Sequence, residues 1–293
     1  MTIKQVKTAN RPNFPIYKEP HAIILPEPAE VQNPMVSSWF RDGCGIEVRC
    51  WSGSARLSPA AVILEKMLLR TKAILFDMDG VLIDSAPAVE RVWHEWAIAH
   101  GFDPAAVIEQ AHGRRSIETI RVIAPHMDAE RENVKVEQME IEDKEGVTAL
   151  AGAEQLLLRL PPDQFAIVTS ATRPLAVARL GYAGLPLPKH MVTADDVVNG
   201  KPWPEPYLKG AALLGVAPAD CLAFEDTPAG IAAAKAAGMR VIAMGDTYPA
   251  HELRAADARV TSLLDVNEEV RDGAILVALG GITQDVKQNG SLG

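Results

Sequence analysis

The chain has 293 residues, of which 48% are hydrophobic and 23% charged, with a formal net charge of −9. That length suits about two domains and that composition a soluble globular protein. The acidic balance argues against nucleic-acid binding, which needs basic patches against phosphates, but leaves room for a small phosphorylated ligand held by local cations and a metal. The three cysteines, Cys44, Cys50 and Cys221, contain no CxxC pair, so neither a disulfide framework nor a zinc site is expected. A reducing cytoplasm fits that usage. No apolar run approaches the ~20 residues that cross a bilayer, and the N-terminus lacks an apolar signal region. No membrane association is expected.

In chain order, residues 1–66 stand apart. Pro12, Pro15, Pro20, Pro26, Pro28 and Pro34 interrupt every candidate helix or central strand. The segment reads as a disordered or non-native extension, and the folded pattern begins within a few residues of Met67, which suggests an internal translation start. From residue 71 short apolar runs alternate with helical segments. Strands are expected at 72–77, 165–169, 190–193, 221–224, 239–243 and 258–260. Such alternation predicts an α/β fold, a doubly wound parallel, Rossmann-like sheet covered on both faces.

Helix signals lie between the strands. Ser85 is placed to cap a helix with Val89, Val92, Trp93 and Trp96 on one face, ending at Gly101. Thr227-Pro228 opens another as N-cap and first residue, closed by Gly238. Glu205 to Leu214 forms a third. About 80 residues separate Asp84 from Phe165, too many for one crossover helix. They hold the Ser85 helix, a segment near 116–124, an acidic stretch near 128–145 and Gly152–Leu160. A small helical cap at 85–151, inserted into a core of 67–84 and 152–272, is the economical reading. Residues 273–293 read as a C-terminal tail.

Four groups fall at strand ends or helix starts: Asp77-Met-Asp79-Gly80, Thr169-Ser170, Gly200-Lys201-Pro202 and Glu225-Asp226. Each has a plainer reading alone. Asp79-Gly80 is a common turn pair, Glu225-Asp226 favours a helix N-terminus, Lys201 suits a solvated loop, and Thr169-Ser170 an ordinary strand end. Their joint order and placement point instead to phosphoryl transfer. That reaction asks for a nucleophile in line with the leaving oxygen and positive charge around the phosphoryl oxygens. A carboxylate can attack, and a divalent cation screens two anions from each other. Mg2+ takes a few carboxylate oxygens, which suits Asp77 and Asp226. A hydroxyl, Ser170, and a point charge, Lys201, suit the phosphate.

These motifs resemble those of the haloacid dehalogenase superfamily over about residues 68–272. Asp77-Met-Asp79-Gly80-Val-Leu-Ile-Asp84-Ser85 and Phe224-Glu225-Asp226-Thr-Pro-Ala-Gly230 are similar to its sugar-phosphate phosphatase and beta-phosphoglucomutase-like branch. The resemblance implies a helical cap after the first strand, Asp77 as nucleophile and Asp79 as proton donor and then base toward water. It implies Mg2+ on Asp77, the Asp79 carbonyl and Asp226, with Glu225 in or near its coordination sphere. Ser170 and Lys201 would hold the phosphoryl group, with Thr169 as the alternative to Ser170. To carry a proton, Asp79 needs desolvation when the cap closes.

The cap loop 111–116 is the candidate for substrate selection. Gly113 permits close approach, Arg115 offers a planar fork with Arg114 beside it, and Ser116 is placed to cap the next helix; the alternative is a basic solvated loop. The run is similar to the cap loop of glycerol-phosphate and sugar-phosphate phosphatases. The expected activity is therefore Mg2+-dependent hydrolysis of a small sugar or polyol phosphate through an aspartyl phosphate. A sugar phosphomutase is the first alternative, and a non-catalytic sugar-phosphate-binding protein the second. A monomer or weak oligomer is expected. Trp203 replaces the Asp common after Lys-Pro in the family and is placed at the cleft rim. His94, His100, His112 and His126 show no metal-ligand spacing. The acidic run from Glu137 to Glu145 reads as a solvated helix face, and Cys221 as inert.

Overall fold

The computed structural model describes residues 37–41, 47–51, 67–111, 113–245 and 247–281. The chain begins with β1 (Ser37–Arg41), β2 (Glu47–Trp51), β3 (Met67–Thr71), β4 (Ala73–Phe76) and β5 (Ile83–Asp84). Four helices follow, α1 (Ala86–His100), α2 (Pro104–Ala111), α3 (Ser116–Ile123) and α4 (Ala129–Glu142), then β6 (Thr148–Ala149). The chain continues through α5 (Ala153–Arg159), β7 (Phe165–Val168), α6 (Arg173–Tyr182), β8 (Met191–Val192) and α7 (Glu205–Leu213). It closes with β9 (Cys221–Glu225), α8 (Pro228–Ala236), β10 (Arg240–Met244), β11 (Ala258–Val260), β12 (Val266–Arg271) and β13 (Ala274–Leu279).

The central sheet runs β11-β10-β9-β4-β7-β8 and every pairing in it is parallel. This is the doubly wound α/β sheet expected from the alternation, with strand limits within a residue or two. Along β4 the side chains divide by pleat. Ile74 and Phe76 pack with Leu156, Leu157, Leu175 and Leu180 of α5 and α6. Ala73 and Leu75 pack with Tyr207 and Ala211 of α7 and Ile231, Ala233 and Ala234 of α8. Period-2 alternation thus gives each face its own helical cover. The chain leaves β4 toward β7 and β8, returns to β9, and proceeds outward through β10 and β11. The carboxyl ends of β7, β4 and β9 therefore meet where the strand order reverses, the usual place for a ligand in such a sheet.

Helices α1–α4 share a separate cluster that includes Val92, Trp93, Trp96, Val107, Ile120 and Val136. The ends of this insertion are joined by a two-residue antiparallel ribbon, Ile83 opposite Ala149 and Asp84 opposite Thr148. Trp93 and Trp96 are core residues, as their spacing predicts, and meet edge to face. Gly101 ends α1 at φ 74 and Thr227 caps α8 through its hydroxyl, which accepts from Gly230 N at 3.1 Å. Two expected caps differ. Ser85 is the N-cap of α1 by position, but its hydroxyl makes no cap bond. Arg115, not Ser116, holds the N-cap position of α3, and Ser116 donates instead to Asn133 Oδ1 at 2.7 Å.

Two sequence-based expectations are corrected by a second sheet, β1-β2-β3-β13-β12. Residues 274–279 are not part of a tail. They form β13, antiparallel to both β3 and β12, with Ala274, Ile275, Val277 and Leu279 buried against Leu69 and the core. The turn before it, Asp272-Gly273, has φ values of 51 and 70, the left-handed pair a two-residue hairpin requires. Of the expected extension 1–66, residues 37–41 and 47–51 form an antiparallel hairpin that meets β3 at Glu47 and Leu68. The rest of that segment lies outside the described residues, as do His112 and residues 282–293. Among the described residues no helix is long and apolar enough to cross a membrane.

Candidate active site

Asp77 leaves the end of β4, and its backbone N–H still donates to the Phe224 carbonyl of β9 at 3.0 Å. This bond locks the Asp77 and Asp226 loops side by side. Gly80 then turns the chain at φ 78, and a Cβ built there would fall 2.0 Å from Asp226 Oδ2. A glycine is needed at this position both for the backbone angle and for the approach of Asp226. Asp77, Glu225 and Asp226 each bring a carboxylate oxygen within 4.8 Å of the others.

Lys201 stands behind this group. Its Nζ donates to Asp77 Oδ1 and to Glu225 Oε1, each at 2.6 Å, and it is almost fully buried. Burial pulls the ammonium down, but Asp77 and Glu225 outweigh it, and its pKa ends above the ordinary value. Glu225 is saturated. Oε1 also accepts from the Tyr207 hydroxyl at 2.7 Å, and Oε2 accepts from Asp226 N, Thr227 N and Thr227 Oγ1. A Cβ at Gly230 would lie 1.8 Å from Glu225 Oε1, so that glycine makes room for the carboxylate. Glu225 is thus the anchor of Lys201 and of the α8 N-terminus, and with five donors on its two oxygens it has little left to offer a cation.

Asp226 is the opposite case. Its Oδ1 is buried with no hydrogen-bond partner, a costly state for a carboxylate. Burial, then Asp77 and Glu225, push its pKa well above the usual carboxylate range. Burial likewise raises Asp77 to about 7 against the pull of Lys201, with Glu225 and Asp79 adding to the rise. Three carboxylates against one ammonium give the site an acidic excess of the kind a divalent cation would neutralise. The orphaned oxygen and this excess fit a hard cation on oxygen ligands.

Asp79 lies on the cavity wall with both oxygens engaged. Ser85 Oγ donates to Oδ1 at 2.6 Å and Arg179 Nη1 to Oδ2 at 3.0 Å. Thr169 and Ser170 follow β7 and both border the cavity. Thr169 is buried and its hydroxyl accepts from Ala171 N at 3.1 Å, whereas Ser170 is half-exposed on the wall. The cavity itself encloses about 700 Å³ between the sheet edge and the helical insertion, ample for a sugar phosphate. Its far wall carries Glu90, Glu109, Glu137 and Glu140 alongside Trp93, Arg114 and Ser116.

The cap loop is only partly as expected. Gly113 (φ 70) and Arg114 border the cavity, and a Cβ at Gly113 would meet Thr227 Cγ2 at 2.7 Å, so the loop sits directly on the start of α8. Arg115 does not border it. Its guanidinium pairs with Glu118 and donates to the Val198 carbonyl at 3.2 Å, lying across Gly200. It clips the cap to the Lys201 loop because Glu118, one turn away on α3, captures the fork. The acidic run is also corrected: Glu137 and Glu140 face the cavity, and Glu140 is buried, because α4 packs that face against α6. Trp203 is 63% exposed and lines a separate shallow groove with Pro204 and Leu208, not the cleft rim. Cys221 is buried, which raises its thiol to about 11, consistent with an inert role.

Sequence reasoning did not single out Arg179 or Tyr207, and it read Ser85 as a cap only. Arg179 carries one faint signal: it shares a helical face with Leu175, Ala176 and Leu180, where an apolar residue is expected.

A family model described as haloacid dehalogenase-like hydrolase matches residues 71–238. The chain belongs to this family. Hexitol phosphatase A of Escherichia coli is 44% identical over 200 residues, spanning 67% of this chain and 93% of that protein. Glycerol-1-phosphate phosphohydrolase 2 of Saccharomyces cerevisiae is 39% identical over 193 residues, spanning 61% and 77% respectively. Among solved structures, a Pseudomonas syringae hydrolase superposes with TM-score 0.58 at 27% identity, covering 65% of this chain and 93% of that one. A beta-phosphoglucomutase from Clostridium difficile does so with TM-score 0.56 at 25% identity, covering 66% and 92%. The sugar-phosphate branch of the haloacid dehalogenase family, expected from the motifs, is therefore where this hydrolase sits.

Proposed function

We propose that this hydrolase removes phosphate from a small sugar or polyol monophosphate by way of an aspartyl phosphate on Asp77. The observation that carries the reading is the acid group at the end of β4: Asp77 beside an orphaned Asp226 oxygen, with Asp79 held two residues on. In the first step an Asp77 oxygen attacks phosphorus, the ester P–O bond breaks, and Asp79 gives its proton to the departing alkoxide. In the second, Asp79 takes a proton from water as that water attacks phosphorus, and the bond to Asp77 breaks. Asp77, the Asp79 carbonyl and Asp226 would hold Mg2+, which screens the carboxylate from the phosphate and polarises a phosphoryl oxygen. Lys201 holds Asp77 in place and supplies positive charge from behind. Ser170 is the hydroxyl on the wall for the phosphoryl oxygens, and helices α1–α4 act as the cap that closes over the substrate.

The far wall supports hydrolysis over phosphomutase chemistry. Its four carboxylates outnumber its one cation, Arg114, and accept hydrogen bonds from sugar or polyol hydroxyls while disfavouring the second phosphate that a mutase must accommodate as a bisphosphate. The similarity to a hexitol phosphatase and a glycerol-1-phosphate phosphohydrolase supports the same substrate class. A screen of phosphorylated metabolites tests the reading. Phosphate release from hexitol, hexose or glycerol monophosphates that requires Mg2+ is expected. Isomer formation from a hexose 1-phosphate with a bisphosphate primer would favour the mutase, and binding without turnover a non-catalytic role.

A further inference from the structure

Arg179 is a charge placed where an apolar residue is cheaper. Its neighbours on the buried face of α6, Leu175, Ala176 and Leu180, belong to the core. Its own side chain is 6% exposed, and burying a guanidinium is costly unless every N–H is matched. That matching is incomplete: Nε is buried with no partner. Replacing such a buried ion by a well-packed hydrophobe is often neutral or stabilising, so stability alone does not account for the residue.

Its two paired nitrogens lead to opposite sides of the cavity. Nη1 reaches Asp79 Oδ2 at 3.0 Å, and Nη2 reaches Glu140 Oε2 at 3.4 Å. Asp79 belongs to the loop after β4, whereas Glu140 belongs to the last turn of α4 in the inserted helices and is itself 7% exposed. The planar fork of an arginine spans two carboxylates in fixed directions in a way a lysine does not. With Ser85 on Oδ1 and Arg179 on Oδ2, both oxygens of the Asp79 carboxylate are held in place.

We propose that Arg179 is a positioning residue that holds the Asp79 carboxylate for proton transfer and ties its placement to the cap through Glu140. It moves no proton itself. Because Glu140 rides on α4, the guanidinium has both partners only when α4 lies against α6, so Asp79 is aligned when the cap is seated. This inference rests on the role of Asp79 in the hydrolase reading above.

The test is steady-state and single-turnover kinetics of Arg179→Gln, Arg179→Lys, Glu140→Gln and the Arg179→Gln/Glu140→Gln double variant, with Mg2+ and the best monophosphate substrate. Arg179→Gln should lower kcat about 100-fold, the scale of general acid–base catalysis, with KM nearly unchanged. Formation and hydrolysis of the aspartyl phosphate should slow together, since Asp79 serves both. Arg179→Lys should recover part of the loss. Glu140→Gln should lower kcat less, and the double variant should be no slower than Arg179→Gln, the non-additivity of residues in one network. A raised KM with unchanged kcat would make Arg179 a substrate contact, a lowered Tm with unchanged kinetics would make it structural, and an additive double variant would uncouple Glu140; each overturns the proposal. If the wild type hydrolyses no phosphomonoester, the hydrolase reading fails instead. The hold is then read without turnover, by 15N NMR of the Arg179 guanidinium. Restricted rotation that is released in Asp79→Asn and in Glu140→Gln is expected, and unrestricted rotation in the wild type would refute it.

Discussion

At the scale of single residues the site separates acids by their surroundings. Asp77 and Asp226 share one buried space, Glu225 is consumed by its donors, and Asp79 is gripped from both sides. If Asp77 is the nucleophile, Asp77→Asn removes the attacking oxygen and leaves a side chain of nearly the same size. Turnover should fall below detection while thermal stability, followed by circular dichroism, is kept or raised, because a neutral amide is less costly to bury than a carboxylate. Near-normal rates in that variant would end the covalent route. Gly80 offers an independent check of the metal side. Gly80→Ala meets both a strained φ and an Asp226 oxygen 2.0 Å from the new Cβ. Asp226 must shift, so titration calorimetry should show Mg2+ affinity falling at least tenfold, a loss of more than ~1.4 kcal/mol.

The carboxylates are legible as a set because Asp77 and Glu225-Asp226 each close a short apolar run, the mark of a strand end, and Lys201 joins them through a Gly-Lys-Pro turn just before a helix. Ser85 and Arg179 are not, for a physical reason. A hydroxyl at a helix start has a plain local use as a cap, and only the fold shows that Asp79 takes it. Arg179 meets Asp79 across 100 residues of chain, a separation at which helical periodicity carries no information about partners. Glu140 is hidden from the sequence for a related reason: charge density along α4 does not tell which of its faces packs on α6.

At the scale of elements, the loop that delivers Lys201 is fastened by the helix after it. Glu205, in the first turn of α7, accepts from Val198 N at 3.0 Å and Asn199 N at 2.8 Å and pairs with Lys209. The Asn199 N–H first, then Lys209 and the Val198 N–H, lower its carboxyl from the ordinary 4.5 to about 2. A carboxylate with a depressed folded-state pKa stabilises the fold above its unfolded value and loses that contribution as pH falls through its folded value. Glu205→Gln should therefore unfold at a lower temperature than the wild type at pH 7. The gap should close as pH falls from 4.5 toward 2. Differential scanning calorimetry across that range checks it; a gap independent of pH would assign the effect to side-chain shape and not to charge.

At the scale of the whole molecule, the parallel sheet was readable and the second sheet was not. Buried parallel strands are continuous apolar runs between turn residues, so β4, β7, β9 and β10 announce themselves. The β12–β13 hairpin carried a signal too, Asp272-Gly273 between two strand-forming runs, but the Gly-rich, polar stretch that follows made the whole end look like a tail. The distinction has consequences for stability. Ile275, Val277 and Leu279 are fully buried and pair β13 with β3, the strand that leads straight into β4 and Asp77. Each such side chain contributes ~1.5–3 kcal/mol on burial, and three together rival the ~5–15 kcal/mol by which a domain is stable at all. Removing β13 would also uncover Leu69 and strip β3 of its long partner. A chain ending at Gly273 should consequently lose its cooperative thermal transition and bind a hydrophobic dye, although every residue of the site is retained. If that truncated chain instead unfolded cooperatively near the wild-type temperature and kept its phosphatase rate, β13 would be an attachment and the boundary expected from sequence would stand.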